Sequence, residues 1–295
     1  MNGFFNVLKP PGMTSSQVVG AVRRLIDGEK AGHAGTLDPQ AAGILPVMTG
    51  KAARLFDYLV DKQKAYIAEI AFGTATDTQD AQGKVIESGD QYPTMEDVLA
   101  VLPRFTGTIM QTPPNYSAIK QDGRKLYELA RKGERVTVAP RPIMVDSITL
   151  TGQTDNHGMM LHIRCGKGTY VRTLCHDIGQ AVGCPAHMRF LLRTLSGVFD
   201  IHTACTLEEL QQAHAAGRLM DCMLPMDVPL QHLPRGDVPV KLAVLCKNGG
   251  PIHVSAIPEL ADINEQTPIR LYLSHAFMGI AQRRGNIISF RTMVG

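Results

Sequence analysis

Apolar and polar positions along the 295-residue chain change period several times, and each change predicts an element. Residues 4–8, Phe-Phe-Asn-Val-Leu, read as a short strand stopped by Pro10-Pro11-Gly12. Thr14 or Ser15 can cap the helix that follows. There Val18, Val19, Val22, Leu25 and Ile26 lie at helical spacing, while Arg23 and Arg24 fall off the stripe. Ala52, Ala53, Leu55, Phe56, Leu59 and Val60 suggest a second core helix, and residues 66–72 a strand. Thr94 opens a helix over 95–102, and residues 103–116, rich in Pro, Thr and Gly, predict irregular chain. A short helix is expected over 124–132, with Lys125, Arg131 and Lys132 exposed. Residues 143–151 and 159–165 alternate as strands around an Asp155-Asn156-His157-Gly158 turn. Residues 165–174 predict a strand-to-helix corner, and Thr206 with Glu209 forms a capping-box pattern. Prolines at 225, 229, 234 and 239 mark the best boundary in the chain, and residues 241–295 read as a small β domain.

Composition narrows the class. A hydrophobic content of 44% with 19% charged residues is that of a soluble globular protein. No apolar run approaches the roughly 20 residues of a membrane span, and residues 1–6 lack signal-peptide features. A cytoplasmic location is the expectation. The six cysteines form no Cys-x-x-Cys pair, so neither zinc nor a disulfide framework is suggested. Net charge is only +3, yet residues 117–145 carry a net +4 and residues 71–100 a net −5. A basic segment on a near-neutral protein fits either a local phosphate-binding patch or a solvated helix face.

Candidate chemistry concentrates in Gly32-His33-Ala34-Gly35-Thr36-Leu37-Asp38-Pro39, followed by Gly43-Ile44-Leu45-Pro46-Val47. One carboxylate, Asp38, sits in a turn between apolar residues. The local pattern also suits a helix N-cap at Asp38 with Pro39 at the first helical position, a role compatible with chemistry. Gly50-Lys51-Ala52 is no phosphate loop, because Leu45 stands where a glycine is required and Ala52 where Ser or Thr is. Asp77 and Asp80 lie in a polar loop that fails the calcium pattern and predicts a turn whose Asp side chains bond the local backbone. No metal site is expected.

The Asp38 stretch resembles the active-site motif of the bacterial tRNA pseudouridine-55 synthases, the TruB family. Lys9-Pro10-Pro11-Gly12-Met13-Thr14-Ser15 is similar to that family's first motif. Gln111-x-Pro113-Pro114-x-Tyr116-Ser117-Ala118-x-Lys120 is similar to a third block, Lys167-Gly168-Thr169-Tyr170-Val171-Arg172 to a fourth, and residues 187–195 to the next. The resemblance implies an α+β pseudouridine-synthase fold, with a mixed, mainly antiparallel sheet flanked by helices. It also implies a catalytic domain over 1–236 with an RNA-binding insertion at about 111–142, and a small β-rich PUA-like RNA-binding domain over 237–295.

The resemblance further implies isomerisation of uridine to pseudouridine at position 55, in the T-loop of tRNA, by base flipping. Asp38 would be the nucleophile and Arg172 its supporting partner. His33 would insert into the RNA loop, Tyr66 stack on the target base, and Tyr170 and Leu191 pack around it. Attack at ribose C1′, attack at uracil C6 and removal of the C2′ proton all remain open. The tRNA T-arm is the implied partner; no cofactor and no protein partner is implied, and a monomer is expected. Two other readings compete. In one the chain is a non-catalytic RNA-binding or tRNA-folding factor in which Asp38 merely caps a helix. In the other it is a hydrolase with paired carboxylates, with Asp77 or Asp80 as the second acid.

Overall fold

The computed structural model describes all residues except 60–62, 115, 117–119, 122–123 and 126–137, and only the backbone of 120, 121, 124 and 125. In chain order the first part comprises β1 (Gly3–Lys9), α1 (Ser15–Leu25), β2 (Ala31–His33), β3 (Ala42–Thr49), β4 (Lys64–Phe72), β5 (Thr74–Thr76), β6 (Val85–Ser88), α2 (Met95–Val101) and β7 (Gly107–Gln111). Then come β8 (Lys120–Gln121), β9 (Arg124–Lys125), β10 (Arg141–Thr154), β11 (Gly158–Cys165), α3 (Val171–Ala181), β12 (Ala186–Ser196), β13 (Phe199–Asp200), α4 (Leu207–Ala215) and β14 (Met223–Leu224). The last part holds β15 (Arg235–Val238), α5 (Ala243–Lys247), β16 (Ile252–His253), β17 (Ile269–Leu273), β18 (Ala276–Arg284) and β19 (Ile287–Met293).

A ten-stranded sheet runs β14-β1-β3-β12-β4-β11-β10-β7, with β2 on β3 and β13 on β12. Its pairings are antiparallel except β12 with β3. That parallel junction brings the chain after residue 40 against the chain after residue 186, and the site forms beside it.

Phe4 and Phe5 are both buried because both faces of the sheet are covered. Phe5, Val7, Leu45 and Val47 pack under α1 and α4, whereas Phe4, Ile44 and Met48 join Leu55, Ile280 and Val294 on the other face. Alternation along a strand sends successive side chains to opposite faces, so a continuous apolar run is what a doubly covered strand needs. The α1 cap is Thr14, with a capping box to Gln17, and the apolar stripe faces the core as its spacing requires. A second, five-stranded sheet runs β15-β17-β18-β19-β16 and begins with Arg235. Lys51 Nζ donates to the Gly295 carbonyl and Arg54 to that of Met293, tying the two sheets together.

Four expectations need correction. No helix follows Asp38: Ala41 N–H returns to the Asp38 carbonyl in a turn and β3 begins at Ala42. Strand pairing with β1 overrides the Asp-Pro capping pattern there. Residues 50–58 form a 3-10 run, and Phe56 and Ala53 are exposed while Ala52 and Leu55 are buried. Residues 107–111 are a strand, because β10 offers an edge that Gly107 to Gln111 complete. Arg124–Lys125 is a strand paired with Lys120–Gln121 rather than the start of a helix. Residues 126–132 of that expected helix, with Arg131 and Lys132, lie outside the described residues, as does the side chain of Lys125.

Candidate active site

The Asp38 loop is held from two sides. From one side comes the segment of residues 9–15. The Lys9 side chain is fully buried, and its ammonium donates to the carbonyls of Pro10 (2.8 Å), Pro39 (2.9 Å) and Ala41 (2.6 Å). Ser15 Oγ accepts from Leu37 N–H and donates to the Leu37 carbonyl. Two stretches that are separate in sequence are therefore one structural unit. Burial pushes the Lys9 pKa down to about 8, against the pull of the Asp38 charge. From the other side Arg193 donates to the Ile44 carbonyl (2.7 Å) and the Gly35 carbonyl (3.1 Å).

Asp38 itself remains 38% exposed at its side chain, whereas Lys9, Ser15 and Arg193 are buried. Its Oδ2 lies 3.5 Å from Arg172, and the same guanidinium lies 3.6 Å from Asp80 Oδ2. Arg172 also donates to the Tyr116 carbonyl at 2.7 Å. Its Nε is buried with no partner among the described residues. Desolvation raises the Asp38 pKa above the ordinary aspartate value; Arg172 and Lys9 oppose the rise and Asp80 adds to it. The outcome is a carboxylate that is partly exposed, loosely paired and more basic than usual.

The other expected residues converge from three strands and a helix start. Tyr66 on β4 and Leu191 on β12 are buried in the same cluster as Leu37 and Val171. Burial raises the Tyr66 pKa, and the nearby Asp38 charge adds to that. Tyr170 caps α3 half-buried, and its backbone is gripped by Gln111, whose amide donates to the Tyr170 carbonyl (3.0 Å) and accepts from its N–H (2.9 Å). The Arg172 and Arg141 guanidinium carbons lie 5.8 Å and 5.4 Å from the Tyr170 ring centre. His33 is half-buried on β2; desolvation and the Arg193 charge lower its pKa. It lies outside the buried cluster that holds Tyr66 and Leu191.

Sequence reasoning missed several members. Asp80 does bond its local turn, accepting from Thr78 and from Gln82 N–H, yet it also faces Arg172. A parallel bridge to Met188 carries the loop there, and Gln79 accepts from Thr173 next to Arg172. No local pattern announced this, because the link is a cross-sheet contact. Gln111 and Lys9 lay inside matched blocks, and only burial reveals what they do. Among the described residues no group of His, Cys, Asp and Glu is placed to hold a metal ion.

Comparison defines first a class. The solved Cbf5-Nop10-Gar1 complex contains a chain that superposes with a TM-score of 0.73 at 27% identity, covering 96% of this chain and 79% of that one. A second, from an archaeal box H/ACA Nop10-Cbf5 complex, gives 0.74 at 25% over 99% and 86%. The fold is that of the pseudouridine synthases. Residues 23–171 match the TruB family pseudouridylate synthase N-terminal domain, and residues 172–231 match the tRNA pseudouridylate synthase B C-terminal domain. The chain is 40% identical over 279 residues to the tRNA pseudouridine synthase B of Alkaliphilus oremlandii (strain OhILAs), covering 95% of this chain and 92% of that one. It is 47% identical over 222 residues to its counterpart in Caldanaerobacter subterraneus subsp. tengcongensis, covering 75% and 78%. The chain belongs to the TruB family of pseudouridylate synthases.

Proposed function

We propose that the chain isomerises uridine to pseudouridine at position 55 in the T-loop of tRNA, with Asp38 as the nucleophile. The reaction breaks the bond from uracil N1 to ribose C1′, turns the ring, joins C5 to C1′ and releases the C5 proton, while N1 takes up a proton. The observation that carries the reading is the Asp38 carboxylate, open to solvent yet set among Arg172, Asp80 and Lys9 beside an apolar wall. Addition to C1′, addition to C6 or removal of the C2′ proton would each use it ionised. Arg172 favours that form, and its long contact leaves the oxygens free to react.

A uridine within a folded loop must swing out first, at a cost of roughly a few kcal/mol. Tyr66, Tyr170 and Leu191 form the wall against which the extruded ring would stack, and base–aromatic stacking is worth about 1–3 kcal/mol. His33, kept neutral by its lowered pKa, would occupy the vacated stack. The net +4 over residues 117–145 would supply phosphate contacts, as would the five-stranded unit, which we read as a PUA-like RNA-binding domain. The partner is the T-arm of tRNA, and the chain acts as a monomer in the cytoplasm. Among the described residues no helix is long and apolar enough to cross a membrane.

Tritium release from C5-labelled uridine in tRNA tests the reading. Asp38→Asn should abolish release while tRNA binding survives. Full turnover by that variant would remove Asp38 from the chemistry, and binding without any turnover by the unaltered chain would favour a tRNA-folding factor.

A further inference from the structure

Arg193 is among the largest side chains that the fold buries completely, at 1% exposure. A buried guanidinium is costly unless every donor is met, and among the described residues no carboxylate pairs with it. Its hydrogen-bond partners are instead the carbonyls of Gly35 and Ile44 and the more distant Thr36 carbonyl at 3.5 Å, and its cross-strand neighbour on β4 is Tyr66.

The register explains the set. Arg193 sits on β12 directly between Gly43 of β3 and Tyr66 of β4. Gly43 has a φ of +111°, and a Cβ there would meet the Arg193 carbonyl oxygen at 2.2 Å, so only glycine lets the two strands come this close. The guanidinium then reaches the chain on both sides of Asp38, at Gly35 before it and Ile44 after it. The strand register sets Arg193 directly beside Tyr66, the ring proposed to stack on the base.

We propose that Arg193 is a positioning residue that locks the nucleophile loop and the Tyr66 ring into one rigid unit, so that turnover depends on a guanidinium that touches no substrate atom. This rests on the reading of Asp38 as the nucleophile. A merely structural residue at this place would be better apolar, since replacing buried charge by well-packed apolar groups is often neutral or stabilising. Lysine cannot take the place, because a single ammonium lacks the planar fork that spans three acceptors.

The test compares Arg193→Lys, Tyr66→Phe, the double variant and Leu210→Ala. Leu210, on α4, is buried in the cluster with α1 and β1, away from Asp38, and serves as a control for lost stability. At 25 °C, with each variant folded by its melting curve, Arg193→Lys should slow single-turnover isomerisation by about a hundredfold. Its tRNA Kd should stay within about threefold, since the residue reaches no RNA. The double variant should fall no further than Arg193→Lys alone, because both changes break one unit. Leu210→Ala, at a similar loss of Tm, should turn over normally.

Wild-type turnover by Arg193→Lys, or an equal loss in Leu210→Ala, overturns the inference. Should Arg193→Lys fail to fold, Tyr66→Phe decides alone, since it removes the hydroxyl of the cross-strand neighbour and leaves the cation among its carbonyls. An unchanged rate with Tyr66→Phe would then overturn the inference. Asp38→Asn run alongside separates the two readings. If it turns over, the nucleophile assignment falls; if it is dead while Arg193→Lys is fully active, only the lock falls.

Discussion

The same sheet carries two arginine–carboxylate pairs with opposite character. On β4, Glu69 receives Arg189 through two contacts, Nε at 2.9 Å and a terminal nitrogen at 2.5 Å, and Thr154 donates to it as well. Three residues earlier on the same strand, and on its other face, Tyr66 belongs to the cluster beside Asp38. There Arg172 stands 3.5 Å from Asp38 and divides itself between Asp80 and the Tyr116 carbonyl. Glu69 is the less exposed carboxylate, at 13% against 38%, yet its pKa is lowered while that of Asp38 is raised. Hydrogen bonding to the charged form outweighs burial at Glu69, and burial outweighs a distant cation at Asp38. A carboxylate whose lone pairs are filled is a brace. One that is desolvated, loosely paired and open on one side can act on another molecule.

The largest effect should therefore separate Asp38 from Glu69. Asp38→Asn should lower isomerisation by more than about a thousandfold in single-turnover assays, since the proposed nucleophile would have no substitute. Glu69→Gln should leave the rate within about threefold, because that side chain acts only on stability. A comparable loss in both would erase the distinction.

Next in size is the dependence on the partner. Because Asp38 must be ionised, kcat/KM should decline as pH falls through its raised pKa, above the usual aspartate range. Asp80 disfavours the charged form, so Asp80→Asn should move that acid limb to lower pH. Arg172 favours it, so Arg172→Met should move the limb to higher pH and reduce the plateau rate. Opposite shifts would mean that the group titrating in the profile is not Asp38.

The contrast also explains what was legible in the sequence. The strands β1, β4, β10 and β11 and the caps of α1, α2 and α4 follow from local period and capping chemistry, which one segment carries by itself. The Asp38 turn was legible as a turn, but its continuation as a strand was not, since β1 and β12 supply the pairing. Strand β7 was hidden for the same reason. Asp38, Arg172, Tyr66 and Tyr170 stood out through motif resemblance. Asp80, Lys9, Gln111 and Arg193 act through contacts between distant segments, and a polar residue reads alike in sequence whether solvated or buried. Phe56 shows the converse, an apolar residue at core spacing that remains exposed.

The smallest effect concerns stability, and its sign differs between the two carboxylates. A pKa raised on folding means that the folded chain holds its proton more tightly, so ionised Asp38 opposes folding above the ordinary aspartate value of 3.8. Asp38→Asn removes that opposition and should raise Tm at pH 7 by about one degree, roughly what a fraction of a kcal/mol produces in a chain of this size. The gain should vanish in acid, where the wild-type group is already neutral. Glu69 has a lowered pKa, so its stabilisation is fully present above 4.5 and is lost as pH falls through the lower folded value. Glu69→Gln should therefore lose about 1 kcal/mol at pH 7, in the range of a partly exposed ion pair with its hydrogen bonds. It should differ least from wild type in acid. Denaturant melts of both variants at pH 7 and at pH 3 would thus give differences of opposite sign that shrink together. A stabilised Glu69→Gln or a destabilised Asp38→Asn at neutral pH would show that brace and nucleophile are not distinguished by how their charges are met.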